Sequence, residues 1–314
     1  MRVVITDYQY DNVDAERRLV EGAGFELLDY QVKTPGALIP LVKDADAIIT
    51  QYADIDRQVI ESLEHCKMII KYGIGVNNID CRAAGEKGIY VCNVPDYGVH
   101  EVSDQAVTMI LCLGKKLEPL QEDLRRGKWG YGGIVPVKRF TECKAGLIGF
   151  GRIPQMVCRK LQAFGMEILV YDPFVDDAVI EAAGAVRASV EEICRNADFI
   201  SVHCPLTEET RHMIGEKEFA MMKPECCIVN TARGGVVDEQ ALIGALNEGR
   251  IAGAGVDVAS TEPIRPDNPL LQAKNIWITP HIAWAPLETR QRLMDIMNEN
   301  IRAFLGGAPI NEVH

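Results

Sequence analysis

Short apolar, β-branched runs alternate with amphipathic stretches from the first residue to Pro95. The apolar runs are RVVIT, FELLDY, DAIITQY, MIIKYG and IYVCNV, and helical patterns such as VDAERRLVEGAG and DRQVIESLEHC separate them. Strands that alternate with helices form parallel sheets covered by helices on both faces, so their strands are apolar throughout. This part of the chain predicts one doubly wound α/β unit.

A second series of the same kind begins near Lys144. Its strand patterns are KAGLIGF, EILVYD, DFISVHC, CCIVNT, AGAGVDV and IWITPH, again with helical stretches between them. The series predicts a second and larger doubly wound unit.

The C-terminal segment decides how the two units are joined. PLETRQRLMDIMNENIRAFL carries apolar residues at helical spacing, so one face of this helix must be buried. The segment is too short to form a core of its own, and we expect it to pack on the first unit. The predicted fold class is α/β with two doubly wound parallel-sheet domains: a flavodoxin-like discontinuous domain at 1–98 and 285–314, and an inserted Rossmann domain at 99–284. The helical stretch HEVSDQAVTMILCLGKKL is the predicted outgoing connection.

Composition narrows the class of partner. The net charge is −12, which weighs against binding to nucleic acid or to anionic membranes, since both are polyanions. Small molecules and a second copy of the chain are the expected partners.

The ten cysteines contain no C-x-x-C pair and mostly lie in apolar runs, which is typical of buried thiols in a reducing compartment. The N-terminus MRVVITDYQY lacks a signal-peptide pattern, and no run approaches the roughly 18 apolar residues of a spanning helix. We expect a cytoplasmic protein without a membrane anchor. No metal site is predicted.

A glycine-rich turn follows the first strand of the second unit. GFGRIP has the spacing of the dinucleotide fingerprint G-x-G-x-x-G: Gly149 permits a tight turn, and Gly151 lets backbone N–H groups approach a pyrophosphate. Pro154 replaces the third glycine, which is tolerated in a first helical turn because N–H groups there lack intrahelical partners. Its ring adds bulk, which bears on cofactor affinity more than on cofactor identity. A purely structural glycine turn is the alternative interpretation.

Asp172 ends the next strand, where a carboxylate can accept hydrogen bonds from the ribose hydroxyls of a dinucleotide. An arginine just beyond it would indicate a 2′-phosphate, but Pro173 and Phe174 follow. NAD is therefore favoured over NADP.

Three polar side chains follow later strands of the same series. Arg233 comes after CCIVN, Glu262 after AGAGVDV and His281 after IWI. Side chains at the carboxyl ends of parallel strands project into one crevice. Taken singly, each has an ordinary explanation as a surface charge, a turn residue or a packed histidine. Together they suit the reduction of a 2-oxo acid, which needs a cation for the carboxylate, a proton donor, and a carboxylate that orients the donor.

Six motifs in order resemble those of the D-isomer-specific 2-hydroxyacid dehydrogenase family along essentially the whole chain: YGIGVNNID, GFGRIP, SVHCPLTEETRHMI, NTARGGVVDE, GVDVASTEP and TPHIAW. The resemblance implies a discontinuous substrate domain, an inserted NAD domain, an active site between them and a homodimer built on the NAD domains. LRRGKWGY, with Trp129, is similar to the dimerisation arm of the family; a surface loop with a packed tryptophan is the alternative.

By the same resemblance, Arg233 is the substrate-binding arginine, His281 the acid/base, and Glu262 the carboxylate that fixes its tautomer. The implied substrate contacts are Lys71, where several relatives have arginine, and the backbone of Gly75 and Val76. Residues similar to those that bind NAD are Gly149, Gly151, Arg152, Ile153, Pro154, Asp172, Cys204, Pro205, Thr210, Thr231, Ala232 and Asp257.

Trp284, three residues after His281, bears on the substrate. HIAW is similar to a branch of the family that includes the C-terminal-binding-protein corepressors and some hydroxypyruvate reductases. An indole beside the pocket favours a flat, apolar or thioether side chain over a phosphate; packing between domains is the equally weighted alternative.

Three interpretations of the function stay open. The first is an NAD-dependent reductase of hydroxypyruvate, glyoxylate or a larger apolar 2-oxo acid. The second is an NAD(H)-sensing, corepressor-like binding protein, which the acidic charge disfavours. The third is a phosphoglycerate dehydrogenase, disfavoured because the chain ends at His314 without room for the regulatory domains that many of them carry. Formate or phosphonate oxidation on the same fold suits the Arg233, Glu262 and His281 set less well.

Overall fold

The computed structural model describes residues 1–130 and 137–313. The chain separates into two compact units: Met1–Tyr97 with the segment from Pro286 onward form unit 1, and Gly98–Ala285 form unit 2. The predicted boundaries, after residues 98 and 284, each differ from these by one residue.

Unit 1 contains a five-stranded parallel sheet in the order β2-β1-β3-β4-β5. This is the flavodoxin-like order, in agreement with the predicted fold class. The strands are β1 Arg2–Ile5, β2 Glu26–Asp29, β3 Ala47–Thr50, β4 Met68–Lys71 and β5 Tyr90–Cys92, and the helices between them are α1 Asp14–Gly22, α2 Pro35–Val42, α3 Arg57–Ser62 and α4 Cys81–Glu86.

A buried carboxylate orders the carboxyl edge of this sheet. Asp7, just beyond β1, accepts hydrogen bonds from the backbone N–H groups of Gln51 (3.0 Å), Tyr52 (2.8 Å) and Ala53 (3.1 Å). These three residues leave β3 in an irregular loop, whose N–H groups need acceptors inside the protein. Asp7 therefore sets the path of the chain after β3.

Unit 2 contains a seven-stranded parallel sheet in the order β12-β11-β10-β9-β6-β7-β8. The order reverses between β6 and β9, as in Rossmann domains, and ligands of such sheets bind at this switch point. The strands are β6 Lys144–Ile148, β7 Glu167–Tyr171, β8 Val186–Arg187, β9 Phe199–Val202, β10 Cys227–Asn230, β11 Gly253–Val256 and β12 Ile276–Ile278, and the helices are α5 Val99–Gly114, α6 Leu117–Arg125, α7 Arg152–Ala163, α8 Asp177–Ala182, α9 Val190–Asn196, α10 Glu216–Met221 and α11 Glu239–Asn247.

The predicted connection helix at 100–117 is wrong at its C-terminal end. α5 ends at Gly114, Lys116 has a left-handed backbone with φ of +51°, and α6 begins at Leu117. Gly114 lies against two rings, since a Cβ there would come within 2.6 Å of Phe140 and 2.8 Å of Phe199. The left-handed backbone of Lys116 separates α5 from α6.

The last helix, α12 (Leu287–Leu305), belongs to unit 1, where it packs on α1. Its buried face includes Leu293, Met297 and Ile301, which are among the apolar residues at helical spacing in this segment. Asn300 on the same face donates from Nδ2 to the carbonyl oxygen of Asn93 (2.8 Å), just beyond β5. In the part of the chain that the structure describes, each helix is too short or too polar to cross a bilayer.

Candidate active site

A histidine and a carboxylate meet at the carboxyl edge of the unit 2 sheet. His281 follows β12, Glu262 follows β11, and Nδ1 of His281 lies 2.6 Å from Oε2 of Glu262. The other carboxylate oxygen, Oε1, accepts from the N–H of Ala259 (3.1 Å). Burial opposes ionisation of Glu262, but the hydrogen bond and charge of His281 outweigh it and hold the pKa of Glu262 below its ordinary value. The sequence predicted that these two residues lie in one crevice, and in the structure they form a short, charge-assisted contact.

Arg233 lies in the segment that packs against the loop carrying Glu262. It follows β10, where Asn230 holds the chain by donating from Nδ2 to the carbonyl oxygen of Arg233 (2.9 Å). The next residue is Gly234, and a Cβ there would lie 2.0 Å from the carbonyl oxygen of Ala259. Only glycine permits this approach, which brings the positive charge of Arg233 near enough to help lower the pKa of Glu262.

The backbone of His281 is held in a left-handed conformation. Its φ is +55°, which is uncommon for a residue with a side chain and clusters at functional sites. Asp257 supports the loop: its buried carboxylate accepts from the hydroxyl of Thr279 and from the N–H groups of Ile282 (3.0 Å) and Ala283 (2.9 Å). Burial raises the pKa of Asp257, although these hydrogen bonds oppose the change. The sequence analysis assigned Asp257 to NAD binding and missed this role in holding the His281 loop.

A backbone cradle for a dinucleotide lies at the switch point. Gly149 has a φ of +97°, and a Cβ there would come within 2.9 Å of the backbone nitrogen of Cys204. Any side chain at Gly149 would push apart the turns that follow β6 and β9. Asp172, beyond β7, accepts from the N–H groups of Phe150 (2.7 Å) and Phe174 (2.9 Å). Three strand ends therefore converge around the glycine-rich turn.

Pro154 is the third residue of α7, after Arg152 and Ile153. The first intrahelical hydrogen bond of α7 runs from the N–H of Gln155 to the carbonyl oxygen of Gly151 (3.1 Å), so an N–H at position 154 would have no partner within the helix. The proline ring is buried. The departure from the fingerprint thus leaves the N-terminus of α7 intact.

The chain is similar to known dehydrogenases. Residues 107–283 match the model of the D-isomer specific 2-hydroxyacid dehydrogenase, NAD binding domain. The chain belongs to this dehydrogenase family. It is 38% identical over 282 residues to a hydroxypyruvate reductase of Blautia hydrogenotrophica, covering 88% of this chain and 87% of that protein. It is also 38% identical over 274 residues to a glyoxylate reductase of Korarchaeum cryptofilum, covering 86% and 82%.

The fold is likewise that of solved family members. A D-lactate dehydrogenase of Aquifex aeolicus, in complex with NAD and lactic acid, superposes with a TM-score of 0.89 at 28% identity, over 97% of this chain and 96% of that one. The chain is accordingly an NAD-dependent oxidoreductase of the 2-hydroxyacid dehydrogenase family, and unit 2 contains its NAD-binding domain.

The remaining residues predicted to bind NAD lie in the segments that follow β9 and β10. Thr231, directly after β10, is buried, and its Oγ1 has no hydrogen-bond partner among the described residues, as expected of a hydroxyl that bonds a ligand. Pro205 and Thr210 close a turn through a hydrogen bond from the Thr210 hydroxyl to the Pro205 carbonyl oxygen (2.6 Å). Cys204 is buried, which raises the pKa of its thiol to about 11, so it is present as a neutral packing group. Ala232 lies between Thr231 and Arg233, and its N–H donates to Asn230.

The predicted substrate contacts of the dehydrogenase lie in both units. In unit 1, the ammonium of Lys71 is buried and donates to the carbonyl oxygen of Gln51 and to Oδ1 of Asn78 (2.7 Å). Gly75 and Val76 lie partly exposed in the loop after β4. In unit 2, Trp284 is half-buried, three residues after His281. Sequence reasoning missed the internal partners of Lys71, because Asn78 and Gln51 come from separate loops.

Proposed function

We propose that this dehydrogenase reduces small 2-oxo acids to D-2-hydroxy acids, and catalyses the reverse oxidation, with Arg233, Glu262 and His281 as its catalytic residues. The observation that carries the proposal is the 2.6 Å contact between Nδ1 of His281 and Glu262, in the loop that packs beside the Arg233 segment. A cation, a proton donor and its orienting carboxylate are the groups that carbonyl reduction requires.

Each of the three side chains has one task in this mechanism. The guanidinium of Arg233 binds the substrate carboxylate through paired N–H donors and polarises the neighbouring carbonyl. His281 donates a proton to the carbonyl oxygen from Nε2, because Nδ1 is bonded to Glu262. Glu262, ionised, keeps the imidazole oriented and stabilises its charged form. When bound, NADH supplies the hydride that reduces C2; in the oxidative direction His281 accepts the hydroxyl proton.

The residues of unit 2 support NAD rather than NADP as the cofactor. Gly149 and Gly151 bring backbone N–H groups and the N-terminus of α7 to the pyrophosphate, where the helix dipole favours negative charge. The carboxylate of Asp172 accepts ribose hydroxyls and would repel a 2′-phosphate. Arg152, Ile153 and Pro154 form the first helical turn beneath this site.

The names of the relatives favour a short, polar substrate. Glyoxylate and hydroxypyruvate are the substrates in the names of two relatives at 38% identity. We propose these two first, with Gly75, Val76 and Trp284 as further substrate contacts. Lys71 is better explained as internal support for its loop, because its ammonium is buried and donates to Gln51 and Asn78.

The assembly and compartment are proposed from surface and thiol chemistry. Helix α6 has no buried residue, and its Leu117 and Leu124 are exposed, as is Trp129 just beyond it. Exposed apolar surface of this kind marks interfaces, which supports a homodimer through unit 2. Tyr131, the last residue of the predicted arm, lies outside the described residues.

All ten cysteines are free thiols, which supports a reducing compartment, the cytoplasm.

Steady-state kinetics with purified protein test the proposal. Glyoxylate, hydroxypyruvate, pyruvate, phenylpyruvate, 2-oxoisocaproate and 4-methylthio-2-oxobutyrate are each assayed with NADH and NADPH, with chiral analysis of the product. Arg233→Ala and His281→Ala should each lower kcat/KM by about 100-fold or more while NADH still binds. Arg195→Ala removes an arginine that pairs with Glu191 within α9, and should retain activity. Wild-type turnover in either site variant would disprove the mechanism.

A further inference from the structure

A second carboxylate, Glu239, holds the loop that carries Glu262. Glu239 is the first residue of α11, and its Oε2 accepts from both the N–H (3.0 Å) and the hydroxyl (2.8 Å) of Ser260. Its Oε1 accepts from Nδ2 of Asn268 (3.0 Å). One side chain therefore ties down both ends of the irregular segment between β11 and the 3-10 turn Pro269–Gln272.

This segment has little regular structure of its own to fix Glu262. Residues 257–268 contain neither helix nor strand. The contacts that set its path around Glu262 include the Glu239 bonds, the hydrogen bond from Ala259 N–H to Glu262, and the close approach of Ala259 to Gly234. Ser260 precedes Glu262 by two residues, so a displacement of Ser260 moves the carboxylate that meets His281.

Glu239 is ionised when it accepts these hydrogen bonds. Burial opposes its ionisation, but the hydrogen bonds from Ser260 and Asn268 outweigh burial and lower the pKa of Glu239 below its ordinary value. A carboxylate at neutral pH is a pure acceptor, and hydrogen bonds to an ionised acceptor are roughly twice as strong as neutral ones. The N–H and hydroxyl of Ser260 and the side-chain amide of Asn268 are thus all satisfied by one anion.

Capping of α11 does not account for these contacts. The N-cap residue is Asp238, whose side chain accepts from the N–H groups of Gln240 (3.0 Å) and Ala241 (3.1 Å). The helix start is therefore already satisfied, and the side chain of Glu239 points its oxygens to the loop instead.

We propose that Glu239 is a positioning residue for the acid/base pair, acting through Ser260 to hold Glu262 against Nδ1 of His281. This rests on the proposed function of Glu262 and His281. Acid/base catalysis tolerates little error in geometry, because a displacement of the order of 1 Å can cost about 100-fold in rate.

Glu239→Gln is the direct test. An amide has the same shape, but its NH₂ group must face either the Ser260 donors or the Asn268 donor, so one end of the loop is released. We expect kcat to fall about 10- to 100-fold, with the NADH dissociation constant unchanged. The pH of half-maximal reduction should move to lower values, because a less well placed Glu262 stabilises the charged imidazole less.

Glu192→Gln is the matched control. Glu192 accepts from the N–H (2.7 Å) and hydroxyl (2.8 Å) of Ser189 at the start of α9, so it forms the same kind of contact with a serine. No catalytic residue follows Ser189 in its loop. This variant should keep the wild-type kcat and pH profile; equal values for Glu239→Gln and Glu192→Gln would overturn the proposal.

A double-mutant cycle with Glu262→Gln separates positioning from general destabilisation. If Glu239 acts through Glu262, adding Glu239→Gln to Glu262→Gln lowers kcat no further, whereas independent losses multiply. Multiplying losses would overturn the proposal.

Proton NMR of the imidazole N–H groups gives a readout that does not depend on turnover. The Nδ1–H signal of His281, assigned by its loss in His281→Ala, should shift in Glu239→Gln and stay in place in Glu192→Gln. Wild-type protein that reduces no 2-oxo acid would contradict the proposed function, while an unshifted signal in Glu239→Gln would contradict this inference.

Discussion

At the scale of single residues, Pro154 shows how a motif can lose a glycine and keep its geometry. The ring replaces an N–H that would have no partner in α7, and it is buried. The strict requirement in this turn falls on Gly149 instead, because its φ is +97° and a Cβ would collide with the backbone of Cys204.

Pro154→Gly should therefore cost stability without improving cofactor binding. Loss of the ring removes buried apolar surface and increases the conformational entropy of the unfolded chain. The free energy of unfolding should therefore fall by about 1 kcal/mol. The NADH dissociation constant, measured by fluorescence titration, should not decrease. Pro154→Ala controls for loss of the ring without the flexibility of glycine. Tighter NADH binding in both variants would mean that the ring holds α7 away from β6.

Position after a strand was enough to predict which residues lie at the carboxyl edge of the unit 2 sheet. Arg233, Glu262 and His281 were chosen because each follows a strand, and the structure brings Glu262 and His281 into contact. Glu239 and the loop contacts of Asp257 were missed, since they join residues about 20 or more positions apart through irregular segments.

At the scale of elements, buried or partly buried carboxylates organise the edges of both sheets. Asp7 holds the loop after β3, Asp172 the turn after β6, and Asp257 the loop after β12. Each accepts backbone N–H groups that leave the strand ladder and would otherwise lie unpaired inside the protein.

Asp198 is a buried carboxylate that accepts hydrogen bonds at the opposite edge of the unit 2 sheet. It lies just before β9, is 4% exposed, and accepts from the N–H of Lys144 (2.9 Å), Nζ of Lys138 (2.5 Å) and Nζ of Lys223 (3.1 Å). Burial opposes its ionisation, but these donors outweigh burial and lower the pKa of Asp198. The start of β6 and the start of β9 are thereby joined by one carboxylate.

Asp198→Asn should destabilise the protein in a pH-dependent way. Because the folded-state pKa is lowered, the carboxylate stabilises the fold above its unfolded pKa, and this stabilisation is lost as the pH falls through the folded value. We expect a loss of about 2 kcal/mol at pH 7, shrinking as the pH falls below about 4, measured by urea unfolding. The exposed Asp44→Asn should change stability by less than about 0.5 kcal/mol. A deficit in Asp198→Asn that is constant with pH would contradict the assignment.

At the scale of the whole molecule, the two doubly wound sheets and their strand orders agree with the predicted fold class. Two details differ from the sequence expectations. The short edge strand β8 (Val186–Arg187) has no periodic signal, and the connection helix ends at Gly114, just before Lys116 with its left-handed backbone.

The exposed leucines of α6 predict that the chain associates. Sedimentation equilibrium should give twice the chain mass of 34.7 kDa. Leu117→Glu combined with Leu124→Glu should shift the protein to monomer, because charges would be buried without partners in the interface. Val179→Glu alters an equally exposed apolar residue on α8 and should leave the mass unchanged. A monomeric wild type would rule out the proposed dimer.

The sequence by itself determined the fold class, the insertion of one unit in the other, the glycine-rich turn and the three polar side chains at strand ends. Periodicity and strand-end position are local signals, and parallel sheets gather their strand ends at one edge. Only the tertiary structure decided that Glu262 meets Nδ1 of His281, that Asp257 and Glu239 hold the loops on either side, and that Lys71 is satisfied within unit 1. Those contacts depend on how irregular loops fold onto distant residues, and no periodic pattern encodes that.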